Sequence, residues 1–258
     1  METPNSIVSP SSIVDILTLR YDKSIQPNLP KKSWEDFTPK DKAPNVSSIE
    51  SSICRAIESN LESYNSKDAS IALSGGVDST LVLSLLRKTR PDLKINAVSI
   101  KFANSVDETP SAAKIAERFD AKHNVIELEN YLSELPKAIS IIKLPFWDLH
   151  WYYVVKKSKT LSKTIISGDG GDELFAGYTF RYKKFLALTS ENSNPLEKVK
   201  AYLQCHERDR VSDQENIFNQ KCNFSWNSIY SHLLPFFDNN LSRLDQVYLA
   251  DYNGKLLY

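Results

Sequence analysis

Leu73-Ser74-Gly75-Gly76-Val77-Asp78-Ser79-Thr80 sets the architecture of this chain. A short apolar, β-rich run, Ala69 to Leu73, leads into it. Thr80 to Arg90 follows, with Leu81, Val82, Leu83, Leu85 and Leu86 apolar around most of the helix surface, and Pro91 ends it. A strand, a glycine turn and a buried helix make one βα unit. The pattern repeats downstream. Ile95 to Phe102 is β-rich, and Asp107 can cap a helix carrying Ala112, Ala113, Ile115, Ala116 and Phe119. Val125, Ile126 and Leu128 give a third strand, and helical patterns cover 133–142 and 148–161. Thr164 to Ile166 is a short strand that enters a second glycine cluster. Upstream, Ser47 and Glu50 have capping-box spacing, and Ile49, Ile53, Ile57, Leu61 and Tyr64 continue as an amphipathic helix to about residue 65. Strands alternating with helices predict an α/β fold, a parallel sheet with helices on both faces.

Beyond residue 178 the strand signals fade. Asn194, Pro195 and Glu197 read as a helix start, and a further helix covers 241–257. The expected organisation is an extension or linker over 1–45, with one short helix near 11–20, then one domain over 46–258 whose part 178–258 is mainly helical. The extension holds six of the 12 prolines.

Composition narrows the function classes. Only 7 of 258 residues are glycine, and six of those fall in the clusters 74–80 and 167–178. A chain so sparing with glycine uses it there for specific backbone work. Lys+Arg and Asp+Glu both number 32, so no global basic field exists for nucleic acid or a membrane surface. Cys54, Cys205 and Cys222 lack metal or disulfide spacing and read as reduced thiols. No apolar run approaches the roughly 20 residues that span a bilayer. The N-terminus METPNSIVSP lacks the pattern of a signal peptide. These features point to a cytoplasmic protein.

The first run suits an anion. Gly75 and Gly76 let backbone N–H groups face a phosphate. Ser74, Ser79 and Thr80 add hydroxyls, and the new helix adds its N-terminal dipole. Asp78 would repel phosphate unless a cation lies between them, which makes it a candidate Mg²⁺ ligand. The plainer reading is a strand-to-helix turn with Asp78 as a helix-terminal charge. The run has no Gly-Lys-Ser/Thr ending and so is not a Walker A loop.

The second run is Ser167-Gly168-Asp169-Gly170-Gly171-Asp172-Glu173-Leu174-Phe175-Ala176-Gly177-Tyr178. Its acids exclude bare phosphate but can hold a cation or accept from ribose and ammonium groups. Asp78 and Asp172 both follow sheet strands and could converge on one Mg²⁺. An acidic helix N-terminus is the plainer reading, and it leaves the glycines unexplained.

The first run resembles the Ser-Gly-Gly-X-Asp-Ser pyrophosphate loop of the ATP pyrophosphatase, or PP-loop, superfamily. The second resembles the Ser-Gly-Glu-Gly-X-Asp-Glu-X-Phe-Gly-Gly-Tyr signature of asparagine synthetases, shared by relatives such as β-lactam synthetases. The resemblance covers about 46–258. It implies an adenine nucleotide alpha-hydrolase-like fold and ATP bound over the sheet edge. By position, Ser74, Gly75, Gly76, Asp78 and Ser79 match the pyrophosphate loop. Leu73 and Ile100 match positions whose backbone holds adenine, and Ser167 and Gly168 match the edge near ribose and the α-phosphate. Asp78 and Asp172 match the Mg²⁺ carboxylates. Asp169 matches a catalytic Glu that handles substrate and ammonia, with a side chain one methylene shorter. The implied reaction adenylates a carboxylate, aspartate in the family, releases pyrophosphate and forms an amide with ammonia.

The chain departs from that family at both ends. Glutamine-dependent members begin with a glutaminase domain whose nucleophilic Cys follows the initiator Met, whereas Glu2 follows Met1 here. No glutaminase activity is expected, and ammonia would come free or from a glutaminase partner chain. The family's later catalytic lysine has no counterpart, and Lys255 reads as a solvated lysine on the terminal helix. A C-terminal partner chain would complete such a site. Two alternatives stay open: a non-catalytic or split nucleotide-binding subunit, and another AMP-forming PP-loop enzyme.

Overall fold

The structure, a computed structural model, describes residues 9–27, 29–37, 45–103, 106–146, 148–206 and 214–258. Residues 1–8, Asn28 and 38–44 of the expected extension, Glu2 among them, lie outside the described residues. The strands are β1 (Asp68–Ala72), β2 (Lys94–Phe102), β3 (Ala121–Leu128) and β4 (Ile165–Ile166). The helices are α1 (Pro10–Leu19), α2 (Val46–Ser63), α3 (Val77–Thr89), α4 (Thr109–Arg118), α5 (Leu135–Ile142) and α6 (Leu149–Ser158). They continue as α7 (Gly171–Phe175), α8 (Thr179–Leu188), α9 (Pro195–Cys205), α10 (Trp226–Phe237) and α11 (Arg243–Asp251). Two compact units result: Asp41–Ser140 with Trp147–Asp169, and Met1–Lys40 with Ile141–Phe146 and Gly170–Tyr258.

The first unit holds one four-stranded sheet in the order β3-β2-β1-β4, with every pairing parallel. Side chains alternate across a strand. Ala69, Ile71, Ile95 and Ala97 join Ile57 and Leu61 of α2, Leu83 and Leu86 of α3, and Ala112 and Ala116 of α4 in one core. Full burial of each such Leu or Ile contributes roughly 1.5–3 kcal/mol. The alternate residues, among them Val98, turn to the other face, where α6 packs against β1, β2 and β3. This is the expected parallel sheet with helices on both faces.

Local chemistry explains several boundaries. Helix α2 starts at Val46 and is capped by Asn45, whose side chain accepts from the Ser48 N–H at 2.7 Å, so the expected Ser47–Glu50 box is not the cap. Helix α3 starts three residues before the expected Thr80. It buries Leu83, Leu85 and Leu86 but leaves Val77 79% and Leu81 46% exposed, so it is one-sided rather than buried all round. At its far end the Arg87 guanidinium donates to the carbonyls of Pro91, Leu93, Phe119 and Asp120, at 2.7–2.9 Å. That ties the turns together away from the glycine loop. Asp107 accepts from the Thr109 N–H and hydroxyl, one residue further from α4 than a direct cap.

The second unit is helical. Phe185, Val199, Tyr202, Ile229, Leu233, Phe237, Val247 and Ala250 form its core, joined by Val14 and Leu19 of α1 and by Tyr21. Helix α9 opens with a complete capping box: Asn194 accepts from the Glu197 N–H at 3.0 Å, and Glu197 accepts from the Asn194 N–H at 2.9 Å. Helix α11 gives way to a π-helical turn over Tyr252–Leu256. There Gly254 lies bare against Tyr21, and a Cβ on it would come within 2.9 Å of the ring. Asn253 is bonded to both backbone groups of Lys32. Asp251 accepts from the Tyr202 hydroxyl at 2.7 Å, and burial pushes its carboxyl above the usual aspartate value. Among the described residues, no helix is long and apolar enough to cross a membrane.

Candidate functional site

In the first unit, β2 and β3 lie on one side of β1 and β4 on the other. The strand order therefore reverses at β1, and open α/β sheets bind ligands beyond the carboxyl end of such a strand. The Ser74–Thr80 run leaves β1 at that point and opens α3.

The loop is shaped by its own hydroxyls. Ser79 Oγ lies 3.1 Å from Ser74 Oγ and accepts from the Ser74 N–H at 3.3 Å, and Gly76 N–H donates to Ser74 Oγ at 3.2 Å. The Thr80 hydroxyl turns back to the Gly76 carbonyl at 2.7 Å, so it serves the helix rather than the loop. Gly75 presents its bare Cα to Ser111 in the first turn of α4, where a Cβ would come within 3.3 Å. Neither Gly75 nor Gly76 has positive φ. Their use is room, not left-handed backbone.

The loop after β4 closes the other side of the crevice. A Cβ on Gly168 would stand 2.8 Å from the Asp78 carbonyl carbon and 2.8 Å from the Ser79 nitrogen. Backbone thus rests on backbone, and the two glycine clusters meet at this residue.

Between them opens a cavity of about 420 Å³, within the range of small-molecule sites. Leu73, Ser74, Asp78, Ser79, Ile100, Ser167, Gly168 and Asp169 line it, all of them sequence candidates. Val98, Phe102, Trp151 and Val154 give it an apolar wall, and Glu108, Thr109 and His150 add polar groups that sequence reasoning missed. Trp151 and Val154 stand three residues apart on α6, so helical spacing was the available signal. Gly75 and Gly76 sit in the loop without lining the cavity.

Asp172 belongs to the second unit, in the first turn of α7. Its carboxylate packs on the bare Cα of Gly177, where a Cβ would collide with it, and its carbonyl accepts from the Gly177 N–H at 2.9 Å. Gly170 precedes α7 with φ 85°, which favours glycine. Tyr178 donates to Glu173 at 3.1 Å, and burial raises its phenol pKa. The Arg181 guanidinium lies 4.0 Å from the Tyr178 ring centroid. Lys255 Nζ lies 5.9 Å from the same centroid, and the residue is half-buried, which corrects the expectation of a solvated lysine.

Ala176 ends α7 with φ 60°, in the left-handed region that costs an L-residue roughly 1–2 kcal/mol. Ala176→Gly is expected to raise unfolding free energy by about 0.5–1 kcal/mol, after allowance for the more flexible unfolded chain. A urea titration of both proteins checks this.

Among the described residues, no three His, Cys, Asp or Glu side chains converge to hold a metal on their own. Asp78 offers one carboxylate on the cavity wall. That donor set fits Mg²⁺ arriving on a phosphate chain, since Mg²⁺ binds through one or two carboxylates plus phosphate oxygens.

Comparison with known proteins agrees with this architecture. Residues 50–247 match the family model described as Asparagine synthase. The chain is 31% identical over 137 residues to asparagine synthetase [glutamine-hydrolyzing] 1 of Bacillus subtilis, a stretch covering 51% of this chain and 21% of that protein. It is 32% identical over 111 residues to a putative asparagine synthetase [glutamine-hydrolyzing] 2 of Methanocaldococcus jannaschii, covering 41% of this chain and 22% of that protein. The matched stretch thus spans about a fifth of each relative. Among solved structures, the NMN synthetase from Francisella tularensis aligns with a TM-score of 0.43 at 16% identity, over 83% of this chain and 94% of that one. The family match runs from the helix before the glycine loop to α11 and takes in both glycine clusters: the chain belongs to the asparagine synthase family.

Proposed function

We propose that this chain is the ATP-handling part of an asparagine-synthetase-like amidoligase. It binds ATP with Mg²⁺, adenylates a carboxylate, with aspartate as the acid, and passes the adenylate to ammonia. One observation carries the reading: eight candidate residues from the two motifs and β2 line a single cavity at the sheet's switch point.

Each residue then has a role that its position allows. The loop of Ser74–Ser79 and the start of α3 take the pyrophosphate, through N–H groups, hydroxyls and the helix dipole. The apolar wall takes the purine beside Ile100. Ser167 and Gly168 border the ribose and the α-phosphorus, where the substrate carboxylate attacks. Asp169, at the cavity edge, handles the amino acid or incoming ammonia. Bound Mg²⁺ would supply charge neutralisation on the departing pyrophosphate, held by the Asp78 carboxylate and phosphate oxygens. The protein's remaining contribution is alignment of attacking oxygen, phosphorus and leaving group.

Aspartate-dependent exchange of labelled pyrophosphate into ATP tests the reading. Exchange that requires both aspartate and Mg²⁺ is the expected result. Tight ATP binding without exchange, restored by a second polypeptide, would mark a split or regulatory subunit instead. No ATP binding at all would overturn the reading. The exchange needs no ammonia, so it is independent of the nitrogen source.

A further inference from the structure

The parallel ladder between β1 and β2 stops one rung early. Its last pairing is Ala72 with Val98, and Leu73 N–H still donates to the Val98 carbonyl at 2.9 Å. In a regular parallel ladder the next bond runs from Ile100 N–H to the Leu73 carbonyl. Among the described residues that bond is not made. The Leu73 carbonyl accepts the buried Ser99 hydroxyl instead, at 2.6 Å. Ser99 Oγ also lies 2.9 Å from His123 Nε2. A hydroxyl has one proton, and Ser99 gives it to Leu73, so His123 must be the donor to Ser99. His123 on β3 therefore holds Ser99, and Ser99 holds Leu73.

Alternation along β2 turns the Ile100 N–H toward β1, like that of Val98, at the level where β1 has ended. Leu73, Ser99 and Ile100 all line the cavity. A backbone donor left without a rung at the cavity wall is open to water or to a ligand that can accept from it.

We propose that Ser99, oriented by His123, is a positioning residue: it keeps the Leu73–Ile100 rung open so that the Ile100 N–H is available to a ring nitrogen of the bound purine. The inference rests on the nucleotide reading above and adds a device that sets the purine's place and selectivity. Without the Ser99 hydroxyl, the Leu73 carbonyl would recruit the Ile100 N–H, extend the ladder and withdraw the donor.

Amide hydrogen exchange and calorimetric titration of the full chain test this. In the wild type, the Ile100 amide should exchange readily without nucleotide and become protected with saturating Mg²⁺–ATP. In Ser99→Ala it should be protected from the start. ATP affinity should fall about tenfold, the effect of one lost hydrogen bond, while affinity for inorganic pyrophosphate stays unchanged. His123→Phe should shift ATP affinity in the same direction, and His123→Gln, which retains a donor, should restore it. Equal weakening of ATP and pyrophosphate in Ser99→Ala would overturn the proposal in favour of a packing role. So would an Ile100 amide that ATP leaves unprotected in the wild type, a result that needs no variant. If the wild type binds pyrophosphate but not ATP, or neither, the nucleotide reading itself fails.

Discussion

Gly168→Ala is expected to cut aspartate-dependent pyrophosphate exchange by about a hundredfold while the chain still folds cooperatively, because misplacement by about 1 Å at a reacting centre has that effect. The added methyl group would stand 2.8 Å from backbone atoms of both Asp78 and Ser79. Backbone cannot rotate out of the way as a side chain can, so either the start of α3 or the loop after β4 must move. Overpacking of this kind costs roughly 1–3 kcal/mol of stability, which a domain of this size survives. The proposed chemistry is less tolerant, because both displaced loops line the cavity assigned to the phosphates. Gly75→Ala provides the internal comparison. Its Cβ would meet side chains rather than backbone, Ser111 at 3.3 Å and Glu108 at 3.9 Å, so a loss several times smaller is expected. Steady-state exchange rates and thermal melts of the two variants separate these outcomes. A Gly168→Ala protein with wild-type exchange would show that the junction between the glycine clusters does not align substrate.

Asp78→Asn should show the opposite sign in two conditions. With Mg²⁺, exchange is expected to fall by roughly a hundredfold to a thousandfold, the scale of removing one preorganised charge from a transition state. Without Mg²⁺, the variant should bind ATP at least as tightly as the wild type. The carboxylate lines the cavity and repels phosphate whenever no cation lies between them. Were Asp78 only a favourable charge in the first turn of α3, its loss would cost about 0.3–1 kcal/mol of stability and leave exchange intact. Titrations in Mg²⁺ and in chelator, run on both proteins, decide between the two roles.

Periodicity in the sequence accounts for the sheet unit. The runs Ala69–Leu73 and Ile95–Phe102 are mostly apolar because these strands are largely buried on both faces, and their position between helical repeats implies parallel pairing. The glycine loop was legible for the same reason: few other positions in this chain use glycine at all. The reversal of strand order was not. It depends on β4, only two residues long, pairing with β1 at Ser70 and Ile71, and no local pattern reports which edge a strand joins. Spacing alone does not single out the Asn45 cap, because Ser47 and Glu50 offer capping-box spacing two residues later. In the helical unit, Asn194 and Glu197 announced α9. Helix α10 does bury a stripe, Ile229, Leu233 and Phe237, but Pro235 inside it reads as a helix breaker, and α7 is too short to show a period. Ser99 and His123 look like isolated polar residues in strands. Their meaning comes from a pairing across β2 and β3 and from a missing rung, neither of which spacing along the chain can show. Ala176 illustrates the limit in another way: its left-handed backbone is set by the turn that brings Gly177 against Asp172, not by its own preference.

On the proposed reading, the cavity beyond β1 is an ATP site. A crystal structure of the full chain grown with α,β-methylene-ATP and Mg²⁺ tests it most directly, because that analogue cannot release pyrophosphate. The triphosphate should lie over Ser74–Ser79 with Mg²⁺ on the Asp78 carboxylate, and the purine should lie against Ile100 and Trp151. Nucleotide bound elsewhere on the chain, or this cavity left empty at a saturating concentration, would contradict the account.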